Sequence, residues 1–196
     1  MINHKLTDQR VREIRKGLGA TQADFARILN VTQMTISHIE NGAMSLSAEC
    51  SRILENYYGL PRNALRTSDH LPVPIIGSAA AGKPTFSAEN FDGFVSMYNI
   101  NDYEFGEVVA VNVIGDSMEQ RIYSGDIAYV HLQDNIDSCQ IGAFSYQDGI
   151  IIKQFKLSDN YVELHSINKA YKPIVIDEQE TNFRILGKVI GVFSKI

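Results

Sequence analysis

The sequence is short of the features that mark exported, membrane-spanning or metal-stapled proteins. Only two cysteines occur in 196 residues, Cys50 and Cys139, far apart and with no histidine at metal-ligand spacing. That excludes a disulfide framework and a cysteine-histidine zinc site. No bound metal and no cofactor is expected, and a reducing cytoplasm suits the chain. No apolar run approaches the roughly 20 residues that a bilayer-crossing helix needs. The opening Met1-Ile2-Asn3-His4-Lys5 has no apolar signal core, so no membrane association or export is expected. Neither a fixed-period repeat nor a low-complexity tract is visible, which removes solenoids and tails from consideration. What remains, with no tryptophan, 44 % hydrophobic and 21 % charged residues, is an ordinary folding composition. At roughly 100–150 residues per domain the length allows one large domain or two small ones.

Net positive charge is also lacking. The formal balance of −5 argues against nucleic acid, whose phosphates call for a basic footprint. The average hides a division, however. Residues 1–66 hold nine Lys/Arg against six Asp/Glu, a balance of +3, which leaves nine against seventeen, −8, for the remainder. A mildly basic head joined to an acidic body is a charge asymmetry between segments of different function.

Residues 7–58 read as short helices. Thr7 is an N-cap for a run with Val11, Ile14, Arg15 and Leu18 at helical spacing, ended by Gly19. Thr21 caps a second helix with Phe25, Ala26 and Leu29 on one face, and Asn30-Val31 breaks it. Thr32 caps a third, with Ile36 and Ile39 inward and Gly42 as its stop. A fourth runs from Ser47 to Tyr58, with Ile53, Leu54 and Tyr57 as its apolar residues. From Pro61 to about Pro74 the texture turns to Pro, Ser, Thr, Asp and His, as in an exposed hinge. Beyond it, β-branched runs such as 108–114, 127–130, 150–152, 161–164 and 185–193 are punctuated by Gly, Asp and Asn, and predict strands.

A helix-turn-helix needs small residues where two helices touch and polar residues where the second enters the major groove. Residues 21–42 meet that need. Ala26 permits close approach, Val31 fills the turn, and Gln33, Met34, Thr35, Ser37 and His38 are left facing outward. The arrangement Thr21-Gln22-x-x-Phe25-Ala26-x-x-Leu29-x-Val31-Thr32-Gln33-x-Thr35-Ile36-Ser37-x-Ile39-Glu40-Asn41-Gly42 resembles the helix-turn-helix of lambdoid phage repressors and their Cro relatives, over residues 7–58. The resemblance implies that Gln22 bonds a phosphate and braces the first readout residue, and that Gln33 and Met34 read bases. Glutamine can bond adenine bidentately, and methionine offers apolar contact to a thymine methyl. Thr32, Thr35, Ser37 and His38 are implied phosphate or secondary base contacts. Arg52, Arg62 and Arg66 are the only later basic residues of the head, so tight binding should need a dimer.

A serine nucleophile needs a base, and a lysine serves if burial strips its proton. Gly115-Asp116-Ser117-Met118 follows an apolar strand and puts Ser117 on a turn, while Lys153 closes the strand Gly149-Ile150-Ile151-Ile152-Lys153. Taken alone, that lysine is either a snorkelling edge residue or a functional one. A third element follows the hinge, Ile75-Ile76-Gly77-Ser78-Ala79-Ala80-Ala81-Gly82-Lys83-Pro84, whose small residues let an extended segment enter a tight site. The Ala81-Gly82 bond, the Gly-Asp-Ser-Met box and Lys153, in that order and at those separations, resemble the LexA and phage-repressor peptidase domain over about residues 72–196. The resemblance implies Lys153 as general base, Ser117 as nucleophile on the Ala81 carbonyl, and backbone N–H groups of Met118 and Ser117 as the oxyanion site. One departure is visible, since the family's box continues with a proline where this chain has Gln120-Arg121-Ile122.

The expected architecture is an all-α helix-turn-helix bundle over 1–66, a linker over 67–74, and a mostly-β LexA-like peptidase and dimerisation domain over 75–196 with its cleavage loop at 75–84. The implied function is a homodimeric repressor that binds double-stranded operator DNA and is inactivated by self-cleavage at Ala81-Gly82. Its implied inducer is a RecA filament or an antirepressor protein. The rival readings are a repressor of the same architecture that does not cleave, its C-terminal domain serving only dimerisation, and a peptidase acting on other proteins.

Overall fold

The computed structural model describes residues 4–67, 70–77, 91–98, 103–147, 149–158, 161–177 and 182–194. The chain divides into two compact units, one of Met1–Pro74 with Thr85–Gly106, the other of Ile75–Pro84 with Glu107–Ile196.

The first unit carries four helices, α1 (His4–Gly17), α2 (Gln22–Leu29), α3 (Gln33–Glu40) and α4 (Ala48–Tyr58). Side-chain oxygens start three of them. Thr21, Thr32 and Ser47 accept the backbone N–H of Asp24, Thr35 and Cys50, and Asp24 returns a bond to Thr21 to complete a capping box. Helix α1 begins at His4, so Thr7 lies inside it and not at its cap. Val11, Ile14, Leu18, Phe25, Ala26, Ile36, Ile39, Leu46, Leu54, Leu60, Ala64 and Leu65 form one buried core. Each large member contributes about 1.5–3 kcal/mol by leaving water. Of the apolar residues of α4, Ile53 and Tyr57 are exposed, because its inward face is set by Ser51, Leu54 and Glu55. Val31 is also more exposed than a turn filler, at 37 %.

The hinge expected over 61–74, including the linker over 67–74, is corrected by the structure. Ala64 and Leu65 are fully buried, and His70–Ile76 forms strand β1. Its first five residues pair antiparallel with β2 (Phe94–Tyr98). Along a strand the backbone polar groups of successive residues point to opposite sides. Pro72 and Pro74 cannot donate, so the ladder to β2 falls to Leu71 and Val73, and the His70 carbonyl on the other side accepts from the Arg10 guanidinium. The Phe94 and Phe105 rings stack against each other beside the helical core, and Phe105 lies on bare backbone at Gly17. A Cβ at Gly17 would stand 2.1 Å from that ring. The described part of 85–106 thus belongs with the helices, and the β unit is not the unbroken span 75–196 that the sequence suggested.

The second unit is a sheet in the order β1-β3-β4-β9-β5-β6-β7-β8. Its strands are the end of β1, β3 (Val108–Asn112), β4 (Ile127–Leu132), β5 (Ile141–Tyr146), β6 (Gly149–Leu157), β7 (Val162–His165), β8 (Ile174–Ile176) and β9 (Phe183–Phe193). Ile75 and Ile76 pair in parallel with Ala110 and Val111, and the other pairings are antiparallel. The long strand β9 is bonded to both β4 and β5, with a register shift against each. At Gly187 it passes so close to β4 that a Cβ would meet the His131 carbonyl oxygen at 2.0 Å. Only glycine fits there. Val113, Met118, Ile122, Ala128 and Ile152 share one buried cluster, so the sheet coils far enough to bring the residue after β3 against β6, with three strands between them in the pairing order.

Candidate functional site

In the first unit, the exposed start of α3 presents Gln33 and Met34, the latter 68 % exposed. His38 is exposed one turn on, and Thr35 and Ser37 are half-buried. The hydroxyls of Thr32 and Thr35 are 3.0 Å apart at the helix cap, where Thr32 Oγ1 also accepts the Thr35 N–H. Ser37 Oγ accepts from Asn41 at 3.4 Å.

Behind this face lies a buried polar group that the sequence did not announce. Arg15 donates to Glu40 through Nε at 2.5 Å and Nη2 at 3.0 Å, and through Nη1 to the Ala20 carbonyl at 2.7 Å. Gln22, the first residue of α2, donates to the same carboxylate at 2.9 Å and receives the Gln33 amide at 3.5 Å. Burial works to raise the Glu40 carboxyl pKa, but the bonds from Arg15 and Gln22 outweigh it and hold the group below its ordinary value. A fixed carboxylate therefore orients Gln22, and Gln22 reaches the residue that leads α3. Arginine 15 read as one more helical position and Glu40 as a helix end; their separation of 25 residues hid the pair.

In the second unit, the β3–β4 connection carries the turn of Ser117. Gly115 opens it at φ +88, a left-handed conformation that glycine adopts without strain. Glu119 N–H donates to the Asp116 carbonyl, and Ile122 N–H to that of Met118, which closes a helical turn around the serine. Gln120, at the departure from the family's proline, sits at φ +82, which a proline ring cannot adopt. Met118 is buried at 2 %, and its side chain anchors the turn in the core shared with Ile152.

Strand β6 brings the second side chain. Lys153 pairs in register with Gly142 of β5 and is only 8 % exposed. Its Nζ lies 2.6 Å from Ser117 Oγ. Burial lowers the pKa of this amine, and no carboxylate takes part in the shift. An amine short of its proton next to a hydroxyl can accept the hydroxyl proton as the oxygen attacks a carbonyl. Both side chains line a groove walled by Val111, Val113 and Ile114 on one side and by Ile150 and Ile152 on the other. Ser117 and Met118 donate their backbone N–H groups to no described residue.

Ala81 and Gly82 lie outside the described residues; of the loop 75–84 only Ile75, Ile76 and Gly77 are described. Among the described residues no three His, Cys, Asp or Glu side chains stand together as a metal site, and no helix is long and apolar enough to cross a membrane.

Residues 74–190 match the Peptidase S24-like family, and residues 11–65 match a helix-turn-helix family. The LexA repressor of Edwardsiella ictaluri is 31 % identical over 180 residues, 90 % of this chain and 86 % of that protein. The LexA repressor of Acetivibrio thermocellus is 32 % identical over 137 residues, 69 % of this chain and 62 % of that protein. For that of Desulforamulus reducens the identity is 32 % over 127 residues, 64 % of this chain and 57 % of that protein. The chain thus spans about three-fifths of the length of the last two relatives.

Proposed function

The chain belongs to the Peptidase S24-like family, and from that premise we propose that it is a DNA-binding transcriptional repressor of phage or prophage type, inactivated when its own Ser117–Lys153 dyad cuts Ala81-Gly82. The observation that carries the proposal is the 2.6 Å approach of a buried, pKa-depressed lysine amine to a serine hydroxyl. Lys153 takes the Ser117 proton as Oγ bonds to the Ala81 carbonyl carbon. The oxyanion so formed accepts from the Ser117 and Met118 N–H groups. Collapse breaks the bond to Gly82, whose nitrogen takes the proton from Lys153, and water then hydrolyses the Ser117 ester. The parallel pairing of Ile76 with Val111 supports an intramolecular course. Ala81 is five residues beyond Ile76 and Ser117 six beyond Val111, so the bond and the nucleophile are tethered to neighbouring strands by short lengths of chain. Such tethering supplies the high effective molarity that a sluggish nucleophile needs.

One head reads one half-site, so two chains pair through the C-terminal unit and set two α3 helices on successive major-groove faces of operator DNA, roughly 34 Å apart. Gln33 and Met34 read bases, Gln22, Thr32, Thr35, Ser37 and His38 serve the phosphates and secondary contacts, and cleavage in the cytoplasm detaches the heads. A RecA filament or an antirepressor protein triggers the release. The test is mass spectrometry of the intact purified chain after alkaline incubation, with and without RecA filaments. Two fragments divided after Ala81, absent from Ser117→Ala and Lys153→Ala, are expected. A chain that stays whole under both conditions refutes self-cleavage and leaves a repressor released by an antirepressor.

A further inference from the structure

The carbonyl side of the nucleophile turn is held by a segment with no part in the dyad. Asn168, half-buried in the turn after β7, donates its backbone N–H to the Ser117 carbonyl at 3.0 Å and its Nδ2 to the Asp116 carbonyl at 3.2 Å. Its Oδ1 accepts the Ala170 N–H at 3.1 Å, which locks the side chain in place. Two neighbours brace the grip. The Tyr171 hydroxyl donates to Asp116 Oδ1, and Ile167 packs on the cluster that contains Met118.

These two carbonyls belong to two particular peptide groups. In a trans peptide the C=O of one residue and the N–H of the next point in opposite directions. The peptide whose oxygen is Asp116 O has the Ser117 N–H on its far side, and the peptide whose oxygen is Ser117 O has the Met118 N–H. Asn168 therefore grips both peptide planes from behind and turns both N–H groups away from itself. No described residue takes those N–H groups. Hydrogen bonds accepted by the carbonyls also polarise the same amides and strengthen them as donors.

We propose that Asn168 is a positioning residue, holding the Asp116–Ser117 and Ser117–Met118 peptides so that their N–H groups form the oxyanion site of the Ser117–Lys153 dyad. The inference rests on the self-cleavage reading for its biological use and on the hydrogen bonds alone for its geometry. Removing one direct oxyanion donor slows acyl transfer by about 100- to 1,000-fold. Loosening two such donors by releasing one of their supports should slow it by about 10- to 100-fold.

Asn168→Asp separates positioning from turn stability. It retains the backbone donor and the oxygen that accepts from Ala170, and replaces the donor to the Asp116 carbonyl with a carboxylate oxygen that repels it, while Asn168→Ala removes that donor without adding charge. Self-cleavage of Asn168→Asp and Asn168→Ala is followed across alkaline pH beside the wild type. The expected result is a loss of about 10- to 100-fold in both, with the thermal midpoint of Asn168→Asp and the pH midpoint of the Asn168→Ala rate unchanged. Cleavage of Asn168→Asp at the wild-type rate overturns the proposal. So does a slowed Asn168→Asp with a lowered thermal midpoint, which assigns the effect to folding, or a slowed Asn168→Ala with a moved pH midpoint, which assigns it to Lys153. A wild-type chain that never cleaves refutes the self-cleavage reading alone. The grip then stands or falls on labelling of Ser117 by a fluorophosphonate, whose phosphoryl oxygen uses the same two N–H groups. Slower labelling of Asn168→Asp supports it, and equal rates, zero included, overturn it.

Discussion

Replacing Glu40 with alanine tests whether the polar group behind α3 both holds the head together and aims its reading residues. The change deletes the acceptor of three hydrogen bonds, two from Arg15 and one from Gln22. Arg15 is 8 % exposed and cannot shed its proton, so a buried cation is left with the Ala20 carbonyl. Breaking one side of a buried ion pair costs about 3–5 kcal/mol. Total stabilities run at about 5–15 kcal/mol, so the head loses a large share of its margin. At about 4–8 °C per kcal/mol for a unit of this size, the melting temperature falls by at least about 12 °C. Circular dichroism at 222 nm reads this directly, because the described helices all lie in the first unit. The double variant Arg15→Met, Glu40→Leu removes both charges, and its stability should recover to near wild type. Its operator affinity should not, because Gln22 remains without its brace. The pH dependence has a definite sign. The folded Glu40 pKa lies below the ordinary value of 4.5, so its stabilisation is complete above that value and is lost as pH falls through the lower folded one. A Glu40→Ala head that melts within about 4 °C of wild type refutes the argument.

Gly187→Ala forces a methyl group to within 2.0 Å of a backbone oxygen that cannot swing aside, and should destabilise the second unit by about 3 kcal/mol or more in urea denaturation. The self-cleavage rate should rise with pH as Lys153 loses its proton, with a midpoint below the free-amine value of 10.5, and Lys153→Arg should abolish it because a guanidinium stays charged. A Lys153→Arg chain that still cleaves removes the lysine from its role. Gln33→Ala should weaken operator binding by about 1–3 kcal/mol and relax preference at a single base pair, as read by competition with point-substituted duplexes. A uniform loss across all duplexes would make Gln33 a phosphate contact.

The sequence declared most about elements with strong local signals. Thr21, Thr32 and Ser47 fix helix starts through bonds to residues three places on, so the second and third helices stand where capping chemistry puts them. Strand β1 was hidden because Pro72 and Pro74 read as breakers. They are tolerated because both face away from β2, which is a property of the pairing and not of the stretch itself. The grouping of 91–98 and 103–106 with the helices was equally invisible, since it rests on contacts distant in sequence, the pairing of β2 with β1 and the ring of Phe105 on bare Gly17. Ser117 and Lys153 were named from a resemblance, 36 residues apart. Their contact comes from the coil of a sheet whose curvature no local pattern encodes. Asn168 gave no signal at all, because its partners are backbone carbonyls, which every sequence has.

The Lys153 pKa is lowered by burial and not by a neighbouring charge. Under the proposed self-cleavage, the lifetime of the intact chain would depend on the apolar wall beside the amine, where Ile150 and Ile152 stand. A polar substitution there that admits water should raise the Lys153 pKa and slow self-cleavage, without touching either reacting atom, as the rate at fixed pH would read. Each pH unit below the midpoint does the same by about tenfold. On that reading the wall would act as a timer, adjustable while the chemistry stays fixed.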